Sequence, residues 1–179
     1  MWPEKLLARY FEGESFQIVL DHSRFVARFA LDLCEHLEIA VNDRIFIEEA
    51  ALLHDIGVSQ VYAPELGLFG NKPYILHGVL GRTILEKEGY PLHGLVCERH
   101  IGVGLTTADI LKQKLPLPQR DMNPISLPEQ IICFADLFYS KNPAKLANKK
   151  TVDQVRKNLL AFGEEKIKIF DGWMEKFSA

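Results

Sequence analysis

The chain is short of cysteine, has no long apolar run and carries no surplus of positive charge, and each shortage excludes a class of function. Its three cysteines, Cys34, Cys97 and Cys133, are odd in number, far apart and without a CxxC pair. Neither a disulfide framework nor a thiolate zinc knot fits that pattern. Each lies among apolar neighbours, so the expectation is three buried, reduced thiols. No segment approaches the roughly 20 apolar residues of a membrane helix. The start, Met1-Trp2-Pro3-Glu4-Lys5, lacks the apolar core of a secretory signal, which makes the cytoplasm the expected compartment. A net charge of −3 offers no overall basicity to recruit nucleic acid or an anionic membrane surface. Nothing repeats and nothing is low in complexity.

What is present is an ordinary globular composition, 47% hydrophobic and 25% charged over 179 residues, enough for one domain that buries about two thirds of its unfolded surface. Apolar residues recur at helical rather than alternating spacing. Phe25, Val26, Phe29, Ala30, Leu33 and Leu37 form a stripe that predicts an amphipathic helix over 15–38. Asn42 or Asp43 is the expected cap of a second helix through Ile47, Ala50 and Leu53 to His54, with Gly57 as its stop. Residues 58–72 read as a loop. Pro73 suits the first turn of a helix ending at Gly89, and Pro91 opens a shorter helix to His100. Gly102 and Gly104 then break the chain, and Thr106 or Thr107 caps a short helix. The proline-rich stretch 114–128 reads as a lid or binding loop. Pro128 starts a helix through Asp136, and one long helix is expected from Thr151 to Phe177. The predicted fold is an all-α, single-domain helical bundle.

Within that bundle, His54-Asp55-Ile56-Gly57 closes the apolar run Ala50-Ala51-Leu52-Leu53. Removing a carboxylate from water costs several kcal/mol, so a buried Asp55 must be paired, neutralised or bound to a metal. Asp136 poses the same problem between Ile131–Ala135 and Leu137–Tyr139. His22, His77 and His100 are expected near helix ends or loop junctions, whereas His36 and His93 read as surface or packing residues. Imidazole nitrogen with carboxylate oxygen suits iron, manganese, zinc or nickel with open coordination positions. For Asp136 taken alone, an arginine salt bridge is the competing expectation.

The order His22, His54-Asp55, Asp136 resembles the HD superfamily of metal-dependent phosphohydrolases. Ala51-Leu52-Leu53-His54-Asp55-Ile56-Gly57 matches its LLHDIG form, and Leu76-His77-Gly78, Glu98-Arg99-His100 and Ala135-Asp136 fall where the pattern expects them, over about residues 18–140. The resemblance implies that His22, His54, Asp55 and Asp136 hold one divalent ion. It further implies that His77 and His100 add a second, bridged by Asp55, with iron favoured if the centre is dinuclear. The implied function is cleavage of a phosphate ester or anhydride of a nucleotide or similar small molecule, as in the symmetrical diadenosine tetraphosphate hydrolases. Asp55, His54 and Arg99 are then the catalytic candidates, and Arg82, Arg99, Lys72 and Lys141 the candidate phosphate contacts, with Arg120 another loop cation. A di-iron oxygenase or a metal-binding module of little activity shares the same ligands, and a homo-oligomer is compatible with either. Gly89-Tyr90-Pro91 reproduces the letters of a cyclic-dinucleotide phosphodiesterase signature but lies beyond His77 without the surrounding pattern.

Overall fold

The computed structural model describes residues 1–177. Nine α-helices carry the described part of the chain: α1 (Trp2–Leu7), α2 (Gly13–His36), α3 (Val41–Leu53), α4 (His77–Lys87), α5 (Pro91–Arg99), α6 (Thr107–Gln113), α7 (Leu127–Leu137), α8 (Val152–Leu160) and α9 (Glu164–Phe177). None is long and apolar enough to cross a membrane. The fold is the expected all-α domain, and its departures from the expected boundaries have physical causes.

The α2 stripe packs against α3 and α7, and α7 buries five consecutive residues, Ile131 to Ala135. A second apolar cluster joins α1, the first turns of α2 and Ile84 and Leu85 of α4. Ala50, Ala51 and Leu52 belong to the first cluster, while Leu53 and Ile56 belong to the second. The end of α3 is therefore where the two cores meet.

Helix α3 starts at Val41, with Asn42 and Asp43 inside its first turn rather than capping it. It stops at Leu53, and Gly57 sits inside a following 3₁₀ turn, Ile56–Gln60. Gly57 matters for a different reason than helix termination. A Cβ there would lie 2.0 Å from the His77 carbonyl oxygen and 2.3 Å from the Gly81 amide nitrogen, so only glycine lets α4 approach this closely. The expected loop 58–72 holds a small hairpin, β1 (Tyr62–Ala63) paired antiparallel with β2 (Leu68–Phe69). Pro73 precedes a 3₁₀ turn, Tyr74–Leu76, and α4 proper begins at His77.

Thr106 and Ser126 each form a reciprocal capping box, with Asp109 and Glu129, which fixes the starts of α6 and α7 on either side of the proline-rich stretch. Helix α7 accordingly begins one residue before Pro128. The expected helix from Thr151 to Phe177 is two helices, because Gly163 adopts φ +119° and breaks the run. The short α1 went unforeseen. Trp2 anchors it, stacking on Tyr90 at 4.2 Å and donating to Glu49 at 2.7 Å. Tyr90 of the Gly-Tyr-Pro sequence therefore packs against the N-terminal helix, and Pro91 opens α5.

Candidate metal centre

The last turn of a helix leaves carbonyl oxygens without an intrahelical partner, and three histidines use oxygens three residues before them. His54 Nδ1 meets Ala51 O at 2.6 Å, His77 Nδ1 meets Tyr74 O at 2.8 Å and His100 Nδ1 meets Cys97 O at 2.7 Å. His54 and His100 directly follow α3 and α5, and His77 follows the 3₁₀ turn. A backbone carbonyl accepting from Nδ1–H fixes the ring orientation and turns Nε2 inward. His22 differs from the expectation, since it lies mid-way along α2 rather than near its end. There the backbone carbonyls already serve the helix, and its Nδ1 is buried without a hydrogen bond.

The four imidazoles surround Asp55. Its Oδ2 lies 3.0 Å from His54 Nε2 and 3.3 Å from His22 Nε2. Its Oδ1 lies 3.5 Å from His100 Nε2 and 3.7 Å from His77 Nε2. Asp136 comes from α7 on the far side, with Oδ1 at 3.0 Å from His22 Nε2 and 3.5 Å from His54 Nε2. No arginine reaches either carboxylate among the described ion pairs, so the competing salt-bridge expectation for Asp136 is not met. The Asp55 side chain is 1% exposed and that of Asp136 17%, so the cluster opens on the Asp136 side.

Lys141 stands at that opening, its Nζ 2.7 Å from Asp55 Oδ2. Burial opposes charge on His54, Asp55, Asp136 and Lys141, but their mutual attraction outweighs it. The His54 imidazole is pushed down by burial and pulled up further by Asp55 and Asp136, to about 10. Asp55 is held well below the carboxylate range against burial by His54 and Lys141, and Asp136 likewise by Lys141 and His22. His77 goes the other way, to about 3, because burial and the neighbouring His100 disfavour its cation.

The donor set fits a divalent cation. Both Asp55 oxygens and the Nε2 atoms of His22 and His54 are buried without a well-formed hydrogen bond, even though charged neighbours lie close. His77 and His100 Nε2 stand 3.2 Å apart, two acceptors whose Nδ1 atoms are already bound to the backbone. Buried polar atoms left this way are costly unless a cation binds them. His22–His54–Asp136 and His54–Asp55–His100 each present ligand atoms within 4.8 Å of one another. All nitrogen and oxygen, these ligands suit iron, manganese, zinc or nickel.

The candidate phosphate contacts are mostly not part of this cluster. Arg82 pairs with Glu86 at 2.7 Å and with buried Glu98 at 2.6 Å, and Arg120 pairs with the same Glu98. Arg99 pairs with Glu129 at 2.8 Å, tying α5 to the start of α7. Lys72 is exposed beside the hairpin. Only Lys141 joins the cluster. Tyr74 was missed by sequence reasoning: its ring lies 4.9 Å from that of His77, and its phenol is raised by burial and by Asp55, against the opposing pull of Lys141. Its place three residues before His77, the spacing that supplies the backbone acceptor, was the available signal.

The three cysteines are buried and free, as expected. Two have local duties: Cys97 Sγ donates to Leu53 O at 3.3 Å, and Cys133 Sγ lies 3.1 Å from Gly102 O.

The chain is a helical domain with a buried histidine/aspartate cluster, assembled between helices, that could hold a metal ion. The chain belongs to the HD domain family, whose model matches residues 19–140. It is similar to an uncharacterized protein of Methanocaldococcus jannaschii, 32% identical over 125 residues, covering 66% of this chain and 64% of that protein. It is also similar to a protein of Thermoplasma volcanium named tRNA (cytidine(56)-2'-O)-methyltransferase, 29% identical over 150 residues, 83% of this chain and 39% of that one. A protein of the same name from Picrophilus torridus is 29% identical over 124 residues, 69% of this chain and 32% of that one. The chain thus spans less than two thirds of the length of each of these relatives. No solved structure gives a significant match.

Proposed function

We propose that the protein is a metal-dependent phosphohydrolase acting on a phosphate ester or anhydride of a nucleotide or similar small molecule. One observation carries this reading: the two oxygens of buried Asp55 face two different pairs of histidines. Oδ2 faces His22 and His54, and Oδ1 faces His77 and His100. His22, His54, Asp55 and Asp136 would hold one ion, and His77, His100 and Asp55 a second. Iron is the favoured metal for such a pair, with manganese, nickel or zinc as substitutes. A divalent ion held by these residues would supply a metal-activated water near neutral pH and positive charge for the phosphate oxygens.

The chain's own groups do the rest. The three backbone bonds to Nδ1 hold the imidazoles in the orientation that ligation needs. Lys141, at the open side and 2.7 Å from Asp55, would contact a phosphate oxygen as a point charge. Arg99 is left out of the reacting set, because Glu129 engages its guanidinium. The two methyltransferase names belong to longer proteins, and they recommend tRNA as one member of a substrate panel.

Phosphate release is the test. Protein supplied with iron or manganese is assayed against nucleotides, dinucleoside polyphosphates, simple phosphate esters and tRNA. Turnover of at least one, abolished in Asp55→Ala and His54→Ala, is the expected result. Metal-loaded protein inert across the panel would overturn the proposal.

A further inference from the structure

A cavity of about 190 Å³ opens beside Asp136 and Lys141, with Gly102, Leu159 and Phe162 in its wall. A second, of about 290 Å³, shares those same three residues and runs on between Ile75, Ile101, Leu105 and Leu115. The two adjoin at these shared residues, as a tract that starts beside Asp136 and Lys141. Ile101 follows His100 directly, and Ile75 lies two residues before His77, so the segments that carry two of the imidazoles also line the far end.

The two ends differ in chemistry. At the first, Lys141 and Lys150 lie with Asp136, Lys141 paired with Asp55 at 2.7 Å and Lys150 donating to Leu137 O at 3.0 Å and Tyr139 O at 2.8 Å. At the second the walls are apolar, and the charged residue there is already engaged: Lys166 Nζ donates to Gly104 O at 2.8 Å and to Asp109 at 2.6 Å. Gln113 adds a neutral amide at the rim. Phe162, 61% exposed, stands in the wall of both cavities in the short turn between α8 and α9. A ligand that fills both ends is anionic at one and uncharged and apolar at the other.

We infer that this tract takes the non-phosphate part of the substrate, an uncharged, largely apolar group joined to phosphate directly or through a sugar, with Phe162 and Leu115 as its contacts. The inference rests on the phosphohydrolase reading and narrows its substrate class. A nucleobase and a hydrocarbon chain both have this chemistry.

The test is calorimetric binding to the full chain, which does not depend on turnover. The probes are n-alkyl monophosphates from ethyl to hexyl, the matching n-alkyl alcohols, inorganic phosphate, ribose 5-phosphate and nucleoside 5′-monophosphates. Affinity for the phosphates should rise about fourfold per added methylene. Phe162→Asp and Gln113→Glu, both at exposed positions that can change without unfolding the chain, should flatten that rise. Nucleotides binding more tightly than ribose 5-phosphate and displacing hexyl phosphate would identify the occupant as a base; no such gain, with the alkyl series intact, would identify a hydrocarbon. Affinity independent of chain length in the wild type would overturn the inference. A chain-length series shared equally by phosphates and alcohols would keep the apolar subsite and instead remove the phosphohydrolase reading.

Discussion

Replacing Gly57 with alanine should damage both the fold and the metal centre, and its effect can be worked from the geometry. The added Cβ would start 2.0 Å from His77 O, whereas ordinary contact begins at 3.4 Å, and both nearest atoms belong to the α4 backbone rather than to a flexible side chain. Relief requires α4 to withdraw by more than an ångström. Overpacking of this kind costs about 3 kcal/mol. In a chain of this size that lowers the melting temperature by roughly 6–12 °C. His77 would move with α4, away from His100 at 3.2 Å and Asp55 at 3.7 Å. Misplacing a ligand by that much lowers turnover by about a hundredfold. Differential scanning calorimetry, with phosphate release on whichever substrate the panel identifies, measures both effects. The control is Gly172→Ala on α9, where a Cβ meets nothing within 4 Å. A Gly57→Ala protein melting within about 1 °C of wild type, with full activity, would refute the argument that glycine permits this helix approach.

The control should itself gain stability, by about 0.5–1 kcal/mol, since Gly172 lies in an exposed helix interior; urea unfolding reads this, and a loss would count against the assigned backbone. Asp109 is pushed up by burial but pulled down further by Lys166 and by Thr106, so its net value lies below the usual range. The stability it contributes is complete above the unfolded value near 3.9 and is lost as pH falls through the folded value. Asp109→Asn should therefore be less stable by about 2 kcal/mol at neutral pH, and the gap should close below pH ~4; a gap that widens in acid would contradict this. Burial pushes the Cys34 thiol up to about 11 and the other two thiols well above their usual value. At pH ~8, native Cys34 should alkylate roughly a hundredfold more slowly than a free thiol, and all three cysteines should react once the chain is unfolded. Rapid labelling of native protein, followed by mass spectrometry, would show the burial to be wrong.

Long, strongly periodic segments were legible in the sequence, and short or irregular ones were not. The α2 stripe gave a helix close to the observed Gly13–His36, because a 24-residue amphipathic segment leaves little alternative. The division between α8 and α9 was hidden because hydrophobic periodicity runs through both, and only the backbone conformation of Gly163 interrupts it. Gly57 was assigned to helix termination, since close backbone approach by α4 is a tertiary fact that no local pattern carries. The histidines and aspartates could be singled out because burying them is expensive wherever they fold. What the sequence could not supply was the fate of the arginines: Arg82, Arg99 and Arg120 find carboxylates 16 to 30 residues away, and such pairings depend on how α4, α5 and α7 pack. Lys141 was one cation among several in sequence, and becomes distinct only through its distance to Asp55.

The central claim is that Asp55 and its four histidines bind metal, and elemental analysis of purified protein tests it most directly. Wild-type protein expressed with iron or manganese and purified without chelator should retain one or two ions per chain, and Asp55→Ala should lose them while remaining helical by circular dichroism. Wild-type protein that retains no metal, or a folded Asp55→Ala variant that holds as much as wild type, would contradict the account.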